Sequence, residues 1–528
     1  MVGGCQVAYT KLRFQVTTLK QGVSEVLSLL LPMKNTFAPI NRIPPDVFSL
    51  IPDYWGHQNA EQDIISLTHV CHDWRKIFTS RPSFWTHLDC RNTDKTRVYI
   101  ERSKSLPLEI SLGQSRCIPY CNDALLMTVT HTNRLSSLTI FLYLYSKTLS
   151  DLLNHFPFPA PLLKELTIVV EQHFSPDPII PGTIFPEHLP PLCKLSLSGV
   201  VTHLPWRNLS NLTVFEYRHA SKTVDPLFVA QLLDFFESAP LLCKIILYDS
   251  IPTSSRVPPE RVIPLLNLKM LIIYDLPAAS TFLNHLSIPT GTSLSLRFSF
   301  PTGSPRIPAC FVNNLGNLHH ITTVSLFAGG PSHIRLNGPS GRFRARGRRK
   351  DWDTSSFFQS LDKFNLSKTR IMSVTAYALS FSGPIEGTPI FRTLLLMDSL
   401  RTLTLIKSDN LHFIRALDPK QNKSGTVLCS ELEELVLYIE KPDRFYLEEL
   451  KVMVLHRAER SSKLSSITIV SLARASPKWD IFSLREYVSR LEYKLEVSSP
   501  EWDAVFDDGD DYDYDKQWDA FPSHRRGR

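Results

Sequence analysis

Glycine is scarce in this sequence, with 20 residues in 528 against 38 prolines. Few glycines with many prolines argue against a flexible linker protein and fit a chain with repeated stiff connections. Cysteine is thin and scattered. The nine Cys form no CxxC pair, and the closest two, Cys117 and Cys121, have no second pair at metal-site distance. That spacing argues against a zinc or disulfide framework and fits buried thiols in a reducing compartment. No long apolar run is present. Residues 26–31 follow Lys20 and Glu25 and are too short to span a bilayer. They also lack a compact basic start and a small-residue cleavage site. The expectation is a soluble intracellular protein, cytoplasmic or nuclear, without membrane contact. Catalytic signatures are missing as well: GxSxG, HExxH, GxxxxGK and GxGxxG do not occur. No catalytic residue, metal ligand or cofactor is assigned, and an enzyme is not expected.

What is present is ordinary globular material, 43% apolar and 21% charged, with a formal net charge of +7. The basic excess is local, so the charge does not itself point to nucleic acid. The run GRFRARGRRK, residues 341–350, packs six cations into ten positions. It reads as a solvated loop inside a basic insert near 331–353, and a nucleic-acid contact is not expected from one interleaved Phe. Residues 507–515 carry six Asp with Tyr512 and Tyr514 but lack the spacing of a calcium loop. The whole stretch 498–528, acidic and then basic, reads as disordered. His319-His320 reads as a surface pair.

The phrase Leu-x-x-Leu-x-Leu, with Ile or Val allowed, recurs eleven times. It starts at Leu135, Leu163, Leu192, Leu209, Leu242, Leu268, Ile321, Ile371, Leu400, Leu432 and Leu464. Its last positions alternate, as in a short strand with one buried face. Helical stretches lie between several copies, at residues 225–237 and 446–457. A strand followed by a helix, repeated, predicts a parallel sheet with helices on its outer face over residues 106–495. The spacing and phrase resemble leucine-rich repeats. The asparagine or cysteine ladder of that family is absent, because Tyr143, Glu171, Val200, Tyr217, Ser250 and Leu276 stand at its positions. An α/β domain with merely Leu-rich buried strands is the alternative.

Residues 39–92 have a different, helical pattern, after an N-terminal extension, 1–38, read as partly disordered with a short helix at 24–31. Pro44 and Pro45 suit a helix start, Asp46 suits its positive end, and Val47, Phe48 and Ile51 form an apolar face. After a polar stretch, one second helix is predicted to carry Ile64, Leu67, Val70, Cys71 and Trp74 as a stripe. Pro82 breaks the chain before Phe84 and Trp85. Ile43-Pro44, Val70-Cys71, Trp74-Arg75 and Pro82 with Trp85 together resemble the F-box family, with the longer inter-helix loop of many fungal members. The fold expected is thus α/β, a small all-α F-box module followed by an irregular leucine-rich-repeat-like solenoid of parallel strands.

The resemblance implies that Ile43, Pro44, Pro45, Val47, Phe48, Ile51 and Leu67, with Val70, Cys71, Trp74 and Trp85, bind a Skp-family adaptor and, through it, a cullin scaffold. The function it implies is that of a substrate-recognition subunit of an SCF-type ubiquitin ligase, with an unidentified protein target on the repeats. A small helical cap packed on the repeats is the plainer reading of the same residues. A non-ligase interaction or scaffold protein and an enzyme on an α/β scaffold are the other functional alternatives.

Overall fold

The computed structural model describes residues 2–36, 39–48, 60–113, 122–143, 159–171, 179–180, 190–202, 209–218, 228–248, 260–274, 282–298, 314–328, 333–347, 364–376, 384–406, 411–422, 425–439, 444–471 and 481–495, with a few isolated positions between them. It is a mixed α/β protein with a mostly parallel sheet. It divides into two compact units, Met1–Leu212 and Thr213–Arg528. The division falls inside the 106–495 region.

Unit 1 opens on α1, Val2–Thr36. Its described side chains, residues 9–30, are all exposed. The sequence expectation of a short helix at 24–31 is corrected to this longer element. Helices α2 (Pro45–Phe48), α3 (Ala60–Thr68) and α4 (His72–Ser80) follow. Strand β1 (His87–Leu88) and helix α5 (Thr93–Arg102) lead to β2 (Leu108–Leu112), then α6 (Asn122–Val129). Beyond them lie β3 (Leu135–Tyr143), β4 (Glu165–Glu171), β5 (Ile179–Ile180), β6 (Lys194–Ser198) and β7 (Val201–Thr202). Strands β1, β2, β3, β4 and β6 pair in that order, all parallel. Strands β5 and β7 pair separately.

Unit 2 continues the pattern with β8 (Val214–Arg218), α7 (Phe228–Ser238) and β9 (Lys244–Tyr248). After β10 (Ile263–Pro264) come β11 (Met270–Tyr274), β12 (Leu286–Ser287) and β13 (Ser293–Phe298). Then β14 (Thr323–Ala328), β15 (His333–Gly338), β16 (Gly341–Gly347) and β17 (Ile371–Ala376) follow. The last third alternates: α8 (Pro389–Leu395), β18 (Thr402–Ile406), α9 (Leu411–Leu417), β19 (Glu434–Ile439), α10 (Arg444–Glu459), β20 (Ser466–Ser471) and β21 (Arg490–Leu495).

The recurring phrase explains the ladder. Where the pairing follows it, the strand begins at the third position, as in Glu165↔Lys194, Lys244↔Met270 and Glu434↔Ser466. The first Leu and the two strand apolars are then buried. Leu163, Leu166 and Ile168 are one such set, and Leu464, Ile467 and Ile469 another. Alternate side chains in a strand point to opposite faces, so each phrase buries one face only.

Two phrases are out of register with the sheet. Val214 pairs with Lys244, which makes Leu212 and not Leu209 the leading residue of β8. Ile371 pairs with Thr402, so Thr369 leads β17 while Ile371 lies exposed. Strands β2, β13 and β21 were not among the predicted phrases, because Pro107 and Gly291 stand at the leading positions of β2 and β13 and Tyr493 at the last apolar position of β21.

The basic run is corrected from a free loop to a strand. Strand β15 is antiparallel to both β14 and β16, and β16 pairs in parallel with β13 while β14 pairs in parallel with β17. The β15–β16 hairpin is therefore inserted into the middle of unit 2, with Phe343 and Ala345 buried. Residues 348–350 lie outside the described residues.

Where an asparagine ladder is missing, other side chains tie neighbouring strands by reaching carbonyls 24 to 35 residues back. Ser136 donates to Leu108 O at 2.9 Å, Asn267 to Pro240 O at 2.9 Å, Thr292 to Leu268 O at 2.7 Å, and Asn314 to Asn284 O at 2.8 Å. Cys429 to Leu394 O (3.4 Å) and Ser465 to Glu433 O (2.7 Å) extend this series toward β20. Each of these bonds adds a side-chain tie to a backbone carbonyl, and Glu433 O accepts from Ser465 N and Ser466 N as well.

Candidate functional site

The segment from Pro39 onward enters through a 3-10 turn, Pro39–Arg42, in which Ile43 N donates to Ile40 O at 3.3 Å. The single turn α2 follows. Pro at its start costs no hydrogen bond, and Asp46 sits at its positive end. Ile43 is half-buried, whereas Pro44, Asp46 and Val47 are exposed. The side chains of Pro45 and Phe48, and all of Ile51, lie outside the described residues.

The predicted second helix is two helices, and this is a correction to the stripe Ile64–Leu67–Val70–Cys71–Trp74. Helix α3 stops at Thr68. His69 N donates to Ser66 O at 3.0 Å and Val70 N to Leu67 O at 3.3 Å, which tightens the last turn. Cys71 is extended, with φ −156° and ψ 175°, and α4 starts after it. The break is satisfied locally, because Arg75 Nε donates to the Thr68 carbonyl at 2.9 Å. Such terminal carbonyls otherwise lack an intrahelical partner. The break lets α3 and α4 pack on each other, which a straight helix does not allow.

Burial is divided unevenly between the predicted contact residues. Among the described side chains of the helix pair, Ile64, Thr68 and Phe78 are buried. Leu67, Cys71 and Trp74 are half-buried, and Val70 is 56% exposed. Trp85 is corrected from an open contact to an internal anchor, being 1% exposed. Its indole Nε1 donates to Phe78 O at 3.0 Å, tying the 3-10 turn Pro82–Trp85 to α4. Its ring meets Tyr99 of α5 edge-on at 4.9 Å and carries the Arg102 guanidinium at 4.3 Å. The remaining aromatics chain back into α4, with Phe78 at 5.6 Å from Phe84 and 6.2 Å from Trp74. Helix α5 is fixed in turn by its cap, where Lys95 N donates to Asn92 Oδ1 at 2.9 Å.

The module is thus a helical pair sealed by Trp85 onto α5 and joined directly to the first parallel strand. Among the described residues of 39–92, the aliphatic side chains Ile40, Val47 and Val70 are exposed. Sequence reasoning missed the Trp85–Tyr99–Arg102 cluster, since Tyr99 and Arg102 lie outside the 39–92 segment. The local signal that could have found them is the Asn92 cap that starts α5.

Elsewhere the chemistry is sparse. Among the described residues no group of three or more His, Cys, Asp or Glu could hold a metal ion. His320 Nδ1 accepts from Lys368 Nζ at 3.2 Å, so it contacts a cation. Cys117 and Cys121 lie outside the described residues. No helix among the described residues is long and apolar enough to cross a membrane. A shallow groove on β19, β20 and β21 is lined by Glu434, Tyr438, Thr468, Arg490 and Glu492, a mixed-charge surface. Neither a family model nor a curated protein matches this chain.

Proposed function

We propose that the chain is an F-box-type receptor, with residues 39–92 binding a Skp-family adaptor and the parallel strands holding a protein target. The observation that carries this reading is the helix pair closed by Trp85 and followed at once by a parallel strand ladder. Val70 is exposed at the turn of that pair and Pro44 and Val47 are exposed at α2, as residues waiting for a partner should be. On this reading the strands are degenerate leucine-rich repeats forming a solenoid. The side-chain bonds that reach one repeat back support that, because they do the work of the absent asparagine ladder. The adaptor connects the chain to a cullin scaffold, and the bond-making chemistry belongs to other subunits. This chain contributes proximity, holding a target near transferable ubiquitin.

The test is co-purification of the full chain with a Skp-family adaptor. Buried anchors at an interface centre typically cost ~2 kcal/mol or more on truncation. Pro44→Ala with Phe48→Ala, and separately Val70→Asp, should each abolish adaptor retention while the circular dichroism stays that of the parent chain. Undiminished retention in both variants overturns the reading. A target that binds but is not stabilised by proteasome inhibition would favour a non-ligase scaffold.

A further inference from the structure

The inserted hairpin builds a cationic surface on the open face of unit 2. Strand pairing places Arg346 beside Arg297, Arg344 beside Arg335, and His333 beside Arg346. Arg342 completes the row on β16 and is exposed, as is Arg346. The intervening residues Phe343 and Ala345 are buried, so the arginines occupy the opposite face of the strand. Arg297 is held in place over the Tyr274 ring at 4.8 Å. From β9 to β18, the described strands of this sheet contain no Asp or Glu.

We propose that this arginine face binds the chain's own acidic segment, residues 507–515, and this does not rest on the F-box reading. Charge complementarity is the first argument: six Asp in nine residues against five Arg. Reach is the second. Val470, Tyr438, Ile406, Thr375, Phe327 and His333 link Lys494 to Arg346 strand by strand in one row. The chain therefore leaves β21 at the same edge of the sheet that presents Arg346. The pairing order from β16 through β15, β14, β17, β18, β19 and β20 to β21 spans roughly 34 Å at ~4.8 Å per step. Residues between Leu495 and Asp507 cover up to about 40 Å when extended, enough to bring the acidic run onto the hairpin. Tethering supplies an effective concentration on the order of millimolar, so weak exposed ion pairs suffice.

The experiment uses the full chain. Phenylglyoxal modification of Arg342, Arg344 and Arg346, read by mass spectrometry, is compared with that of a variant carrying Asp→Asn at 507, 508, 510, 511, 513 and 515. The variant, and the parent chain in ~1 M salt where screening is nearly complete, should react at least about threefold faster. In a second variant, Arg344→Lys, carbodiimide should join the new amine to residues 507–515 at a yield independent of protein concentration. Equal reactivity with no cross-link overturns the proposal. Cross-linking that scales with concentration overturns it in favour of a second copy of the chain. Equal retention of a 12-nucleotide single strand by the parent chain and the Asn variant overturns it in favour of nucleic acid.

Discussion

Arg457 and Cys429 are locked together in the interior of unit 2. The Arg457 side chain, wholly buried, donates Nη2 to the Cys429 carbonyl at 2.8 Å and Nη1 to the Leu428 carbonyl at 2.7 Å. Cys429 holds the left-handed backbone, φ 47°, that a residue with a side chain seldom adopts. The guanidinium from α10 therefore fixes the turn that leads into β19. Burial lowers the pKa of Arg457 from its ordinary value, the cost of keeping a cation out of water.

Arg457→Met should destabilise unit 2 by about 2 kcal/mol, since the buried Leu428 carbonyl loses its donor at roughly 1–3 kcal/mol while the Cys429 carbonyl keeps the Leu432 amide. Arg457→Lys should restore little, because an ammonium cannot span both acceptors as a planar fork does. Hydrogen exchange at residues 428–435 checks this. Unchanged protection there in the Met variant contradicts the assignment.

Burial pushes the Cys429 thiol up to about 12. At pH 8 its thiolate fraction is then on the order of 10⁻⁴, and the thiolate is the reactive form. Cys90 is buried as well, whereas Cys71, Cys193 and Cys243 are half-buried. Iodoacetamide at pH 8 should label those three in the native chain and spare Cys90 and Cys429 until urea is added. Peptide mass mapping reads the order, and early labelling of Cys429 would place it outside the core.

The helical stripe points to Trp74 as the residue whose loss unfolds the small module, but the burial pattern moves that role to Trp85. Trp85→Ala should cost roughly 3–5 kcal/mol. Trp85→Phe should keep most of the packing and lose about 1 kcal/mol with the bond to Phe78 O. Trp74→Ala, at a half-buried site, should cost less than Trp85→Ala. Thermal melts of the three variants rank them, and a larger loss for Trp74 refutes the order.

Trypsin should not cut first at Arg342, Arg344 or Arg346, despite the basic composition of the segment, because all three lie in a strand paired on both sides. Gly338→Ala should reverse this. A Cβ there would stand 1.7 Å from the His320 carbonyl oxygen, and a backbone neighbour does not yield cheaply. Limited proteolysis of both chains, with cut sites identified by mass, decides it. Early cutting within 342–346 of the parent chain would mean that the hairpin is open.

Alternation of apolar residues is a local property, so most strands were legible in the sequence by themselves. The phrases at Leu163, Leu242, Leu268, Leu400, Leu432 and Leu464 lie on the strands they predict, with the leading Leu and both strand apolars buried. The helices at 228–238 and 444–459 were legible for the same reason, with shifted ends. Of the candidate site, the sequence marked the turn at Pro44–Asp46 and the two Trp positions. Which Trp is sealed depended on α5, whose Tyr99 and Arg102 reach Trp85 from outside the motif.

Three other decisions needed the tertiary structure. The helix break at residues 69–71 is stabilised by Arg75 capping Thr68, a contact that a helical stripe cannot reveal. The true registers of β8 and β17 are chosen by pairing with β9 and β18, because a local phrase fits several offsets and only the neighbouring strand selects one. The basic run became a strand because β13 and β14 left a place between them for the hairpin. Composition reports the charge of a segment, whereas backbone hydrogen bonds to strands distant in sequence determine whether it is a loop or part of the sheet.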